Sequence, residues 1–540
     1  MQSPTSGTKE AHTGANDVLV LSPGVTLALE QDDLVMSCQL TTKPSRSCFS
    51  VCTGDSEAKS TPKSIPYYNI LWAEITDDHK WLTIDYAGQT HPHHVEARNV
   101  KFAIPALPAE QMPGEVGGLE VAQWVERLLN RAYAGAARRK RAWVVVNPNA
   151  GPGGAIRIWE KQVKPIFEAA RMPLTVVRTA YGGEAVDLAQ RLCIDDYDIA
   201  VPCSGDGGPH EVFNGLAKRP DARRALSKIA VCHVPCGSGN AMSCNLYGTH
   251  RPSLAALAIV KGVPTPLDLV SVTHGQNRTM SFLSQALGMI AELDLGTENL
   301  RWMGAARFTY GFLKLAMQRK TYPCDIAVKV EIDHKEEVKR HYRQIVGSAT
   351  SEGAGSGHQL RGQIGDEQSR TSSPASNPEG GENASGLPPL KYGTVMDKLP
   401  EGWELVPHEK LGSFYCGNMA YMAPDANFFS AALANDGLMD LITTNGDVSP
   451  LKQIGLQLAV DSGQFFDHPL VNYRKVSAFR IIPRSDCKGY ISIDGEAIPW
   501  GPFQAEVHRG LGLTLSKKGG FEAPGPRNWD TVTNSERILA

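Results

Sequence analysis

Asp206 stands among glycines in Cys203-Ser204-Gly205-Asp206-Gly207-Gly208. A second glycine loop, Val234-Pro235-Cys236-Gly237-Ser238-Gly239-Asn240-Ala241, follows one predicted strand later. Each loop comes after a β-branched run and before a helix-like run. Glycine on both sides of an acid lets a ligand come close to the backbone. A strand end that opens into a helix is the usual ligand position in open sheets. The Asp206 carboxylate could accept the proton of an attacking hydroxyl, help hold a magnesium ion, or cap the helix at His210. Two such loops on neighbouring strands, one carrying a lone carboxylate, suit a site that wraps nucleotide phosphates and activates a hydroxyl. That is the chemistry of an ATP-dependent kinase.

Two further motifs bear on this chemistry. In Val144-Val-Val-Asn147-Pro148-Asn149-Ala150-Gly151-Pro152-Gly153-Gly154 a continuous apolar strand empties into a glycine turn. Backbone amides there could hold phosphate oxygens, or the turn could serve only to reverse the chain. It is neither a Walker loop nor a GxGxxG fingerprint. In Ile491-Ser-Ile-Asp494-Gly495-Glu496 the Asp-Gly pair between apolar residues reads first as a hairpin turn. Its acids could also reach magnesium or ribose. His91-Pro92-His93-His94 is read as an exposed loop rather than a metal site. Cys232, Cys236 and Cys244 are read as small packing residues. Cys48 and Cys52 are read as unmodified thiols, S-acylation being the alternative.

These residues need elements to position them. The chain has 540 residues, 42% hydrophobic and 21% charged, which is ordinary globular usage and enough for about three domains. A net charge of −3 gives no global field to recruit nucleic acid. No apolar run is long enough to span a bilayer, and no secretory leader opens the chain. The reading is therefore a cytoplasmic protein with reduced thiols that meets membranes peripherally. Residues 1–16 are polar and expected to be disordered. Short alternating runs over 17–104 predict antiparallel strands. Val121, Trp124, Val125, Leu128 and Leu129 fall on one face of an amphipathic helix. Together they predict a β-rich module over 17–136, pleckstrin-like in plan. The run Arg138-Arg139-Lys140-Arg141 could touch anionic lipid, but reads better as a solvated linker. Strand and helix then alternate over 139–266, predicting a doubly wound α/β domain. Strands dominate 267–516. Residues 348–390 are Ser/Gly/Glu-rich and predict a disordered insert, and 517–540 a polar tail.

Taken together, these motifs resemble the lipid kinases that share the diacylglycerol-kinase catalytic domain, most closely the sphingosine or long-chain-base kinases of fungal type. The resemblance rests on the Asn147-Pro148 loop, Ser204–Gly207, His210-Glu211-Val-Phe-Asn214-Gly215-Leu216 and 235–242. It continues through Ser281-Phe-Leu-Ser284-Gln285, Ala291-Glu-Leu-Asp294, Arg301-Trp-Met-Gly304, Arg307-Phe308 and Asp494-Gly-Glu496. It implies an α/β nucleotide half and a β-rich lipid half, with a final strand near 505–515 returning to the first. It also implies ATP and Mg2+ as cofactors and a sphingoid base (sphingosine, dihydrosphingosine or phytosphingosine) as the lipid phosphorylated at its primary hydroxyl.

By that resemblance Asp206 activates the hydroxyl. Asn147, Pro148, Asn149, Gly151 and Gly153 line the phosphates. Thr179, Gly183 and Glu184 lie near the adenosine, and Ser204, Gly205, Gly207, Gly237, Ser238, Gly239 and Asn240 complete the pocket. Arg301 and Arg307 approach the phosphates, while Asp494, Gly495 and Glu496 form a nucleotide-side acidic turn. Asp294 meets the sphingoid amine and Ser284 the lipid head. The apolar residues Phe282, Leu283, Leu287, Met289 and Ile290 suit a greasy cavity, or equally ordinary core. Two positions depart from the family. The first loop lacks a lysine, and Gly208 replaces a larger residue, which could loosen its loop. The rival readings are a diacylglycerol or ceramide kinase, an inactive lipid-binding scaffold, and a NAD kinase. Asp294 separates the first, since only a sphingoid base brings a cation.

Overall fold

The computed structural model describes residues 17–22, 25–38, 63–104, 116–151, 153–297, 306–353, 386–484, 488–523, 525, 526 and 529. Residues 1–16 of the expected disordered start, Cys48, Cys52, Arg301 and positions 354–385 of the expected insert lie outside them. The chain forms two compact units.

The first unit holds residues 1–142, 157–175 and 251–263. Its strands Val18–Ser22, Val25–Leu29, Asp33–Cys38 and Ser64–Pro66 form an antiparallel sheet in chain order. Ile70–Ile75, Trp81–His91 and Ala103-ending His94–Ala103 form a second antiparallel sheet. Helix Val116–Tyr133 follows. Val121, Trp124, Val125, Leu128 and Leu129 are all buried, as their spacing requires. Two residues of the basic run are engaged within the protein rather than simply solvated. Arg138 pairs with Glu126 at 3.0 Å. The Lys140 ammonium is buried and donates to the carbonyls of Ala137 (2.9 Å) and Val260 (2.7 Å). His94 hydrogen-bonds the Ser253 hydroxyl at 3.0 Å, and no metal-binding cluster occurs among the described residues.

The second unit holds the remaining residues, 143–156, 176–250 and 264–540. Its α/β part is a sheet ordered Ala230–Val231, Ile199–Ser204, Ala142–Val146, Leu174–Arg178. Ile199–Ser204 pairs in parallel with both Ala230–Val231 and Val234–Pro235. Strands Ala142–Val146 and Ile199–Ser204 are buried along their whole length, as parallel strands covered on both faces must be. The β-rich part is an eleven-stranded sheet. In it, Ser284–Gly288 lies antiparallel between Leu411–Gly417 and Ile491–Ile493. The last strand, Phe503–Ser516, does reach the α/β part: the Thr514 hydroxyl donates to the Val231 carbonyl at 2.7 Å.

Helix Lys335–Gly353 runs into the segment expected to be an insert, and residues 386–390 at its far edge are described as well. The tail is not wholly free, because Trp529 is buried against Tyr342 and Phe466. Among the described residues no helix is long and apolar enough to cross a membrane.

Candidate active site

The Asp206 loop and the Gly237 loop interlock because neither carries side chains at the contact. A Cβ on Gly237 would stand 2.5 Å from the Gly205 Cα, and one on Gly151 2.4 Å from the Cys236 carbonyl oxygen. Gly151 also has φ +54°, a conformation that favours glycine. Asn240 locks its loop, its side chain exchanging two 2.8 Å hydrogen bonds with the Gly237 backbone. Gly208 does not loosen the first loop. A Cβ there would fall 1.9 Å from Ser204 Oγ, so glycine is what lets that serine pack.

Asp206 sits at the N-cap position of helix Gly207–Ala217 but makes no side-chain bond to it. Instead its carboxylate accepts the Ala241 and Met242 amides, both at 3.0 Å, at the start of helix Ala241–Tyr247. This fixes the side chain across the two loops. Glu496 joins it: its Oε1 lies 3.0 Å from where a Gly207 Cβ would be.

Asp494 behaves differently from Glu496. Asp494 (φ 54°) and Gly495 (φ 89°) form the hairpin turn between Ile491–Ile493 and Glu496–Ile498. The Asp494 carboxylate is buried and accepts the Ser281 hydroxyl (2.5 Å) and the amides of Phe282 (3.0 Å), Leu283 (3.0 Å) and Ser284 (2.9 Å). His210 Nδ1 completes the set at 2.8 Å. Burial works against the His210 imidazolium, but Asp494, Glu496 and Glu211 outweigh it and raise its pKa. With five partners inside the protein, Asp494 is a structural anchor. It is not a group free for magnesium or ribose.

Asp294, on helix Met289–Leu295, accepts the Ser492 hydroxyl at 3.1 Å and lies 3.7 Å from where a Gly495 Cβ would be. Ser284 is buried, and its carbonyl accepts the Asp494 amide of the same turn at 2.8 Å. Burial pushes the Tyr415 phenol up, as do Asp294, Asp206 and Asp494 around it. Phe282 and Leu287 are packed core rather than cavity lining: Phe282 meets Phe213 at 5.7 Å, and Leu287 belongs to the main hydrophobic cluster. Met289 and Ile290 pack beside such clusters.

Asn147, Thr179, Ser204 and Glu211 line one pocket with Val145, Tyr181 and Pro202. Its enclosed volume is about 20 Å3, room for one water. The Asn147 side chain accepts the Asn149 amide at 3.0 Å. Glu184 accepts the Ala180 amide at 2.5 Å, and Glu211 accepts those of Gly183 and Ala185 at 3.2 Å each. Burial raises the Glu211 carboxyl. Arg307 stands in helix Ala306–Gln318. Sequence reasoning missed Tyr415 and the working contacts of Glu211, as well as His233 behind Asp206. Their surroundings come from distant segments, so no local spacing signals them.

The chain is similar to several known proteins. Residues 141–272 match the family model "Diacylglycerol kinase catalytic domain", and residues 17–134 match "Domain of unknown function (DUF7493)". Sphingoid long chain base kinase 4 of Schizosaccharomyces pombe is 32% identical, over 87% of this chain and 92% of that protein. The chain belongs to the sphingoid long chain base kinases. Sphingoid long chain base kinase 5 of Saccharomyces cerevisiae is 35% identical to this kinase over 74% of the chain, which spans 62% of that relative's length. Human sphingosine kinase 1 is 30% identical over 68% of the chain and 88% of its own length. A solved diacylglycerol kinase from Bacillus anthracis str. Sterne aligns with a TM-score of 0.44 at 15% identity, over 70% of this chain and 97% of that one.

Proposed function

We propose that this kinase transfers the γ-phosphoryl group of ATP to the primary hydroxyl of a sphingoid base, with Asp206 accepting the hydroxyl proton. The observation that carries the reading is the Asp206 carboxylate. Two amides of a neighbouring helix hold it between glycine loops, with Glu496 beside Gly207 and Asp294 beside Gly495 of the Glu496 turn. Bare backbone in both loops fits a polyphosphate, which needs close amide donors. Asn147, Pro148, Asn149, Gly151, Gly153, Gly237, Ser238 and Gly239 line the phosphates. Thr179, Gly183 and Glu184 approach the adenosine. Arg301 and Arg307 counter the charge of the phosphoryl group in flight.

Magnesium is held mainly by phosphates and water with one or two carboxylates, and the exposed Glu496 carboxylate beside Gly207 is a donor of that kind. Glu496 would hold it, leaving Asp206 to the hydroxyl. When bound, the ion neutralises phosphate charge. Asp294 pairs with the protonated amine, since a half-buried cation needs an opposite charge. Ser284, with Tyr415 behind it, meets the head group.

The substrate lives in a bilayer, so a cytoplasmic kinase must reach a membrane surface. The exposed apolar residues Tyr310, Leu313, Met317, Leu451 and Leu458 support peripheral docking. Two antiparallel sheets followed by one helix support a pleckstrin-like plan for the N-terminal module. Superposing an experimental structure of the module on that fold checks this.

Labelled ATP offered with sphingosine, dihydrosphingosine, phytosphingosine, ceramide and diacylglycerol tests the proposal. Label should enter the three sphingoid bases. Asp206→Asn should lower kcat by about 100-fold or more. Asp294→Asn should impair sphingoid bases far more than uncharged alcohols. Preferential labelling of ceramide or diacylglycerol, or undiminished turnover by Asp206→Asn, overturns it.

A further inference from the structure

Behind Asp206 lies a histidine that no part of the mechanism above uses. His233 is fully buried, between strands Ala230–Val231 and Val234–Pro235. Its backbone amide donates to the Tyr247 hydroxyl at 3.2 Å. Its Nε2 lies 3.0 Å from the Ser204 carbonyl oxygen. A carbonyl can only accept, so Nε2 carries the ring proton and Nδ1 presents a lone pair. Nδ1 has no hydrogen-bond partner among the described residues. It faces Asp206 Oδ1 at 3.9 Å.

Two acceptors thus confront each other in a buried place. An unpartnered buried nitrogen gives up its hydration with nothing in return, and such groups are rare enough to call for an explanation. The arrangement becomes favourable when one proton lies between the two atoms. The reaction delivers one to the carboxylate.

We propose that His233 is a positioning residue that shares the proton Asp206 takes from the lipid hydroxyl. The inference rests on Asp206 being the proton acceptor. As the hydroxyl oxygen bonds to the γ-phosphorus, the bond from that phosphorus to ADP breaks, and the hydroxyl proton passes to Asp206. It then moves into the Oδ1–Nδ1 gap, which tightens to hydrogen-bond length. Catalytic hydrogen bonds are often long before the substrate arrives. After product leaves, the proton returns through Asp206 to water.

The ionisable groups around the pair are consistent with this. Burial lowers the His233 pKa, against Asp206 and the Ser204 contact, so the ring starts neutral and able to accept. Tyr247 faces it from helix Ala241–Tyr247. Cys244, on the same helix near Asp206, has its thiol pushed up to about 12 by burial and stays neutral.

The test is the pH dependence of His233→Gln, which can still donate to the Ser204 carbonyl but offers no basic nitrogen. With sphingosine and ATP assayed from about pH 5 to about pH 9, kcat should fall about tenfold or more. The KM for ATP should hold, and one limb of the wild-type profile should move. Superimposable profiles of variant and wild type overturn the inference while leaving the kinase reading intact. An inactive wild type overturns the kinase reading itself. Should the variant not fold, nitrogen NMR of histidine-labelled wild type decides. A bare Nδ1 supports the proposal, and a protonated Nδ1 in the resting enzyme sinks it.

Discussion

The Asp494-Gly495-Glu496 turn shows how little a sequence motif says about which acid does what. Two acids of one hairpin, a single glycine apart, have opposite fates: Asp494 faces inward onto five donors, and Glu496 is exposed. An Asp494→Asn amide cannot accept from all of them, and it leaves buried donors unpaired. That change should cost roughly 3 kcal/mol or more, seen as a large drop in melting temperature. Glu496→Gln should leave the melting temperature unchanged and lower turnover. The pair also has a pH signature. The folded His210 pKa is raised, so its contribution is complete below the ordinary value of 6.5 and fades as pH climbs through the raised one. That slope should vanish in Asp494→Asn. Unaltered stability of this variant would return Asp494 to the ligand side. The turn was legible in sequence because Asp-Gly chemistry is local. Its burial was not, because the five donors come from residues more than two hundred positions away. Asp206 was legible as an acid at a strand end. The direction of its carboxylate was not, since the amides that hold it open a helix 35 positions on.

At the scale of elements, helix Ala306–Gln318 presents Tyr310, Leu313 and Met317 to solvent at i, i+3 and i+7, one continuous face. Helix Pro450–Asp461 packs beside it and exposes Leu451 and Leu458, the former 83% accessible. Scattered exposed leucines are normal, but a shared apolar face on two adjoining helices marks an interaction surface. If that surface meets lipid, Leu313→Glu with Met317→Glu should abolish sedimentation with vesicles while sparing turnover of detergent-dispersed sphingosine. Equal sedimentation of variant and wild type would exclude it. Sequence pattern gave fair warning of elements built from local chemistry, such as the buried strand Ala142–Val146, the glycine loops and helix Val116–Tyr133. It failed where neighbours decide. Phe282 and Leu287 could line a cavity or fill a core by composition alone, and only the strands against them make them core. The segment 348–353 has a disordered composition, yet it ends a helix whose earlier turns are anchored by Lys339 to Asp467 and His341 to Asp436.

For the whole molecule, the sequence suggests an N-terminal module ending near residue 136 and a catalytic domain starting just after it. The first compact unit ignores that boundary and takes in residues 157–175 and 251–263. Arg171 pairs with Glu74 at 2.7 Å and Asp85 at 2.9 Å. The Lys261 ammonium is buried, donates to the carbonyls of Ile70 and Ala132, and lies 3.8 Å from the centre of the Tyr133 ring. Ala255, Ala256, Leu257, Ala258, Ile259 and Val260 of its helix are buried with it. A chain beginning at residue 139 would bare that apolar helix and leave a lysine with neither carbonyls nor ring. It should aggregate, or melt far below the full-length protein, whereas a detachable module would leave stability and turnover intact. Lys261 supplies a finer check. Burial, with Lys140 and Arg138 nearby, holds its pKa well below the ordinary 10.5. The unfolded chain therefore binds more protons, and stability should rise as pH climbs from the lowered value toward 10.5. Lys261→Met should flatten that rise by removing the titrating group, whether or not the lost carbonyl contacts lower stability throughout. A slope that survives the substitution would place the alkaline gain elsewhere, and an active chain starting at residue 139 would make the N-terminal strands an accessory rather than part of the kinase's own fold.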